Sequence, residues 1–238
     1  MTKLLFREDA YLSEAEALVT GHTPEGGIIL DQTVFYATAG GQPGDSGWLS
    51  FAGSEIAIAN TVKAGSDIAL MPAEGAALPP LGAKVVQRLD WGRRYLHMRV
   101  HSALHLLSVV FPLPVTGGAI GAGRGRLDFA MPEPPSDLAP ILARLNDFVA
   151  RDLPITTDWI SDEELAENPS LIKTMSVKPP MGAGRVRLVR IGLGADQIDL
   201  QPCGGTHVAR TGEIGAIAIE KIENKGRQNR RVSITLSE

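Results

Sequence analysis

A chain of 238 residues with 44% hydrophobic and 21% charged residues and a net charge of −4 has the composition of a soluble globular protein of one large domain or two modest ones. Its single cysteine, Cys203, excludes an intrachain disulfide and fits a reducing compartment. The opening MTKLLFREDAYLSEAEA has a three-residue apolar run before Arg7, Glu8 and Asp9 and does not read as a signal peptide, and no apolar run approaches the roughly 18 residues of a membrane span. The expectation is a cytoplasmic protein.

Up to residue 89, short segments with β-branched content or alternation lie between glycine and proline turn signals: GGIILDQTVFYA, GWLSF, EIAIANTVK, DIALM and AKVVQRL. Only SEAEALV reads as helical there. Residues 1–89 are therefore predicted to form a small glycine-rich β-barrel domain.

The pattern changes at Asp90. In DWGRRYLHMRVHSALHLLSVVFP, Asp90 can cap a helix whose apolar positions are Leu96, Val100, Leu104 and Leu107, with a stop at Pro112. A second helix is predicted from Ser136, with Leu138, Ile141, Leu142, Leu145, Phe148 and Val149 in a stripe. A third opens on Ser161 and Glu164, the spacing of a capping box. Strands return at RVRLVRI, QIDLQ, EIGAIAIEKI and RRVSITL. Gathered helices and gathered strands make residues 90–238 an α+β domain, and the chain as a whole α+β.

Three of the five histidines, His97, His101 and His105, recur every fourth residue on the first predicted helix and form a column. An H-x-x-x-H pair on a helix brings two ligands to one point with little ordering cost. Further on, CGGTH supplies a thiolate and an imidazole at Cys203 and His207, with Gly204 and Gly205 letting the backbone turn tightly between them. Together, His101, His105, Cys203 and His207 make an N/S ligand set that suits Zn²⁺ rather than Mg²⁺ or Ca²⁺. The residue after His101 is Ser102, where a zinc protease carries its glutamate base, so that chemistry is excluded. His97 is left outside the ligand set.

Charge is segregated. Arg93, Arg94, Arg99, Arg124 and Arg126 occur without an acid between Trp91 and Arg126. Lys173, Lys178, Arg185, Arg187 and Arg190 occur without one between Leu171 and Arg190. Lys221, Lys225, Arg227, Arg230 and Arg231 face Glu223 alone, whereas Leu127 to Ser170 holds ten acids against Arg144 and Arg151. A basic face on an acidic body is the footprint of a polyanion binder.

With these residues in view, the chain resembles the AlaX-type alanyl-tRNA editing proteins, freestanding relatives of the editing domain of alanyl-tRNA synthetase. The resemblance spans nearly the whole chain. It rests on His101 and His105, on QPCGGTH at Gln201 to His207, on the following TGEIG, and on KGRQNRR at Lys225 to Arg231. LDQTVFYATAGGQPGDSG, Leu30 to Gly47, is similar to the glycine-rich motif of the medium-length subgroup, which adds a β-barrel; Ala37, Thr38 and Ala39 stand where that motif has Pro-x-Gly.

What the resemblance implies is hydrolysis of the ester in mischarged tRNA(Ala), chiefly Ser-tRNA(Ala) with Gly-tRNA(Ala) second, at zinc held by His101, His105, Cys203 and His207. Such a site must hydrogen-bond the serine hydroxyl, since buried polar groups left unpaired reject alanine by on the order of 10⁴-fold. Thr33, Gly40, Gly41, Gln42 and Thr206 are the substrate-binding candidates. Arg124, Arg126, Lys225, Arg227, Arg230 and Arg231 are the tRNA-binding candidates. Asp128, on a strand after a glycine turn, is the candidate general base, with assistance to the water by a hydroxyl of the tRNA's terminal ribose as the alternative. Neither a membrane nor an obligate protein partner is expected. A zinc-stabilised RNA-binding module without hydrolytic activity and a generic metallohydrolase are the competing readings.

Overall fold

A computed structural model of the chain describes residues 1–173 and 184–237, and Lys178 lies outside them. The chain divides into two compact units, Met1–Leu96 and His97–Glu238.

The first unit contains β1 (Lys3–Leu4), β2 (Glu14–His22), β3 (Ile28–Leu30), β4 (Gln32–Thr33), β5 (Gly47–Phe51), β6 (Ser54–Ala64), β7 (Asp67–Pro72) and β8 (Lys84–Leu89). Six of these close a barrel in the order β2-β3-β7-β6-β5-β8, while β1 pairs in parallel with β4. Strand β2 corrects the helical expectation for SEAEALV. Ala17 and Val19 turn inward and Glu16, Leu18 and Thr20 outward, a period of two that barrel closure rewards over the helix propensity of Glu and Ala. Ile28, Leu30, Leu49, Ile58 and Leu70 fill the interior.

GGIILDQTVFYA is less regular than one strand: it yields β3 and β4 and then an irregular stretch. That stretch leads into a two-residue turn in which Ala39 and Gln42 exchange backbone hydrogen bonds of 3.1 and 2.9 Å around Gly40 and Gly41. Both glycines have positive φ, +56° and +85°, which a side chain would disfavour.

Helix α1 (Trp91–Val110) begins in the first unit and continues into the second. Asp90 caps it, its carboxylate accepting from Arg93 N at 3.2 Å. Arg94, in its first turn, is bound into the barrel by Asp45.

In the second unit follow β9 (Val115–Ile120), β10 (Arg124–Ala130), α2 (Ala139–Ala150), β11 (Ile155–Ser161), α3 (Asp162–Glu167), β12 (Arg185–Ile191), β13 (Asp199–Pro202), β14 (Ile217–Asn224) and β15 (Asn229–Leu236). They form an antiparallel sheet β14-β15-β10-β9 and a second sheet β11-β12-β13. Helix α1 lies close on the first sheet because Gly125 of β10 has no side chain: a Cβ there would meet Val100 Cγ1 at 2.5 Å. The Ser161–Glu164 capping box of α3 forms in both directions. Strands β9 and β11 were not expected; TGG within the first and polar Thr-Thr-Asp within the second hide their pairing.

Candidate metal centre

His101 and His105 stand one turn apart on α1, with ring centroids 5.3 Å from each other. Cys203 follows β13, and its N–H donates to Arg187 O at 3.1 Å, continuing the β12–β13 ladder by one rung. The Arg187 guanidinium donates to the carbonyls of Cys203 and Gly205, each at 2.9 Å, and so fixes the loop that carries His207 back. Gly204 has open space where a Cβ would be, and Thr206 is fully buried beside the pair.

The four side chains converge. Ligand atoms of His101, His105, Cys203 and His207 all lie within 4.8 Å of one another. Cys203 Sγ is 3.5 Å from His101 Nε2 and 3.3 Å from His207 Nε2. A tetrahedral Zn²⁺ with Zn–N of about 2.0–2.1 Å and Zn–S of about 2.3 Å would separate its S and N ligands by about 3.6 Å. The two sulfur–nitrogen distances are close to the edge length of such a site. His97, though buried, is outside this group.

Behind the ligands lies a set of partners that the spacing argument did not anticipate. His105 Nδ1 donates to Asp199 Oδ2 at 2.9 Å, leaving Nε2 for the centre. The Gln201 amide donates to the same oxygen at 2.7 Å, and the Lys173 ammonium pairs with Asp199 Oδ1. His207 Nδ1 lies 3.1 Å from Ser102 Oγ, which also accepts from Val208 N. With Nε2 toward the centre, His207 donates from Nδ1 to this hydroxyl. Ser102, at the position where a zinc protease carries its glutamate, therefore orients the His207 ring. The signal for Asp199 was available as a period of two: Asp199, Gln201 and Cys203 alternate along one face of an extended chain.

Charge follows this geometry. Burial would push the Cys203 thiol up, but His101 and His207 hold it well below the ordinary thiol value. Burial and the neighbouring His101 push His207 well down. For His105, burial works downward, yet the Asp199 hydrogen bond and the Cys203 thiolate raise it to about 9. Asp199 stays below the usual carboxylate range despite burial, because His105 and Lys173 face it. A cation entering the centre must displace the His105 proton below about pH 9. Metal affinity is accordingly expected to rise with pH across roughly pH 6 to 8, measured by chelator competition; an affinity flat over that interval would contradict it.

The remaining expected site residues fall in several places. Asp128 on β10 accepts from Arg231 at 2.8 and 2.9 Å and from Arg126 at 2.8 Å, and these partners hold its pKa down. A carboxylate so engaged is a poor proton acceptor, and Asp128 is outside the ligand cluster. Arg126 and Arg231 are correspondingly half-buried and ion-paired, whereas Arg124, Lys225 and Arg227 are exposed. Arg230 donates to Asn224 Oδ1 and to the Gly226 and Pro132 carbonyls. In the first unit, Gly40 and Gly41 are exposed and Gln42 is buried. Thr33 is fully buried and donates to Gln87 Oε1 at 2.9 Å, so its hydroxyl serves the barrel. Among the described residues no helix is long and apolar enough to cross a membrane.

The family model described as the threonyl and alanyl tRNA synthetase second additional domain matches residues 186–233, which include Cys203 and His207. The model for class II (A) tRNA synthetases matches residues 6–93. The alanyl-tRNA editing protein AlaX-M of Methanosarcina acetivorans is 35% identical over 249 residues, 99% of either chain. Its namesake in Saccharolobus solfataricus is 31% identical over 242 residues, again 99% of either chain. The alanine–tRNA ligase of Pyrobaculum arsenaticum is 35% identical over 231 residues, 93% of this chain and 25% of the ligase. Identity of this extent over whole chains is decisive for the family: the chain belongs to the AlaX-M alanyl-tRNA editing proteins.

Proposed function

We propose that this protein hydrolyses the ester of mischarged tRNA(Ala) in trans, chiefly Ser-tRNA(Ala) with Gly-tRNA(Ala) second, at a Zn²⁺ site made by His101, His105, Cys203 and His207. The observation that carries the reading is the convergence of three imidazoles and one thiol within 4.8 Å of one another, in a chain whose relatives are named for alanyl-tRNA editing. Ester hydrolysis is downhill in water and needs no ATP. We place the reaction in the cytoplasm, with neither a membrane nor an obligate protein partner.

When bound, Zn²⁺ supplies Lewis acidity where the ester is positioned. The chain does the rest. His105 and His207 are held in one tautomer by Asp199 and Ser102, so both present Nε2. Arg187 fixes the 203–207 loop. Asp199 is committed to His105 and Lys173, and Asp128 to two arginines, so in this proposal a free hydroxyl of the tRNA's terminal ribose assists the attacking water by hydrogen bonding, and the water's proton ends on the ribose oxygen that leaves as the ester breaks. Thr206, Gln42 and the backbone at Gly40 and Gly41 are assigned to the amino-acid side chain. Arg124, Arg126, Lys225, Arg227, Arg230 and Arg231 are assigned to tRNA phosphates. Thr33 acts through the barrel.

The test is release of labelled amino acid from Ser-tRNA(Ala), Gly-tRNA(Ala) and Ala-tRNA(Ala). Serine lost far faster than alanine is the expected result. Tight tRNA binding without release would instead favour an RNA-binding module, and turnover of small esters without a tRNA response a generic hydrolase. Gln42→Ala is expected to narrow the serine-to-alanine ratio of kcat/KM by about tenfold or more while leaving the metal bound. Loss of metal in that variant would remove Gln42 from the role.

A further inference from the structure

Trp159 is 39% exposed on β11, an edge strand, and the Arg185 guanidinium lies over its ring at 4.5 Å from the centroid. The strand register relates this partly exposed indole to the metal centre. Trp159 pairs directly with Arg187 of β12, and Arg187 in turn is bonded to Cys203. These three residues form one row across the sheet, from the edge to a metal ligand. Two strand spacings separate its ends, about 10 Å.

They also share a face. Asp199 and Gln201, which bond to His105 or its partners, pair with Ile191 and Val189. By alternation Arg185 and Arg187 lie on the same side of β12 as Ile191 and Val189, and directly opposed residues project to the same side. Trp159 and Arg185 are therefore on the face of the sheet that carries the metal centre.

We propose that Trp159, backed by Arg185, is a stacking platform for the 3′-terminal nucleobase of the aminoacylated RNA. The inference rests on the editing reading above, because the base and the reactive ester share the terminal ribose. A platform this far from the metal is within the base's reach when the ester is at the metal. An exposed indole with a guanidinium over it has the chemistry that holds unpaired bases by stacking.

The test pairs kinetics with fluorescence. Trp159→Ala is expected to raise KM for Ser-tRNA(Ala) by about tenfold or more, with kcat within about twofold and zinc content unchanged, while Trp159→Phe stays within about threefold of the parent. RNA ending in CCA should quench the intrinsic tryptophan fluorescence. The same RNA without its terminal adenosine should quench much less, and Trp159→Phe should show no such difference. An unchanged KM in Trp159→Ala, or quenching indifferent to the terminal adenosine, overturns the platform. A parent protein that deacylates no tRNA would overturn the editing reading instead, and the fluorescence comparison would still decide this one.

Discussion

Replacing Cys203 with alanine is expected to abolish deacylation and weaken zinc binding by more than about 100-fold. Even partners outside a ligand set are worth about 10–100-fold in metal affinity, and Cys203 contributes the one thiolate at the centre. The consequence for stability follows by linkage. A metal held at 1,000 times its Kd stabilises the folded state by about 4 kcal/mol. A strong chelator should thus lower the Tm of the parent protein and leave Cys203→Ala unmoved at its already reduced value. Scanning calorimetry with and without chelator, beside elemental analysis, reads both effects. A variant that keeps stoichiometric zinc would remove Cys203 from the ligand set.

The second large effect lies in the barrel. Arg94 is fully buried and Asp45 nearly so, and they pair through Nε at 3.0 and 3.1 Å and through Nη2. Arg94 also donates to Val34 O at 2.8 Å and to Ala10 O at 3.2 Å, and Asp45 accepts from Tyr36 N at 2.6 Å. The pair thereby holds both ends of the segment whose tip is the Gly40–Gly41 turn.

Arg94→Met strands a buried carboxylate. The expected loss is about 3–5 kcal/mol, which for a unit of this size lowers Tm by more than about 10 °C. The double variant Arg94→Met, Asp45→Leu should recover part of it, since the unpaired charge is gone. A single variant melting within about 2 °C of the parent would show that the pair contributes little.

Much of this architecture is legible in the sequence, for reasons that particular residues make clear. GWLSF and RVRLVRI are strands as read because aromatic residues in the first and β-branched residues in the second recur within a short segment bounded by turn signals. The α1 helix is legible from its cap and apolar spacing, and the four members of the His/Cys cluster from fixed local spacing at His101–His105 and Cys203–His207. SEAEALV is misread because its propensity is helical while its burial alternates, and only barrel closure decides between them.

The arginine pairing of Asp128 is hidden from the sequence for a related reason. Its partner Arg231 lies 103 residues away, and the register that joins them is not a local property. The same holds for Ser102 with His207 and for Lys173 with Asp199. Local spacing reveals the clustered histidines and cysteine, whereas the groups that orient them come from pairings set by the whole fold.

X-ray absorption at the zinc edge of the purified protein tests the metal assignment most directly. Three nitrogen scatterers at about 2.0–2.1 Å and one sulfur at about 2.3 Å are predicted, with the sulfur shell missing in Cys203→Ala. A shell of oxygens alone, or no bound zinc, would contradict the account.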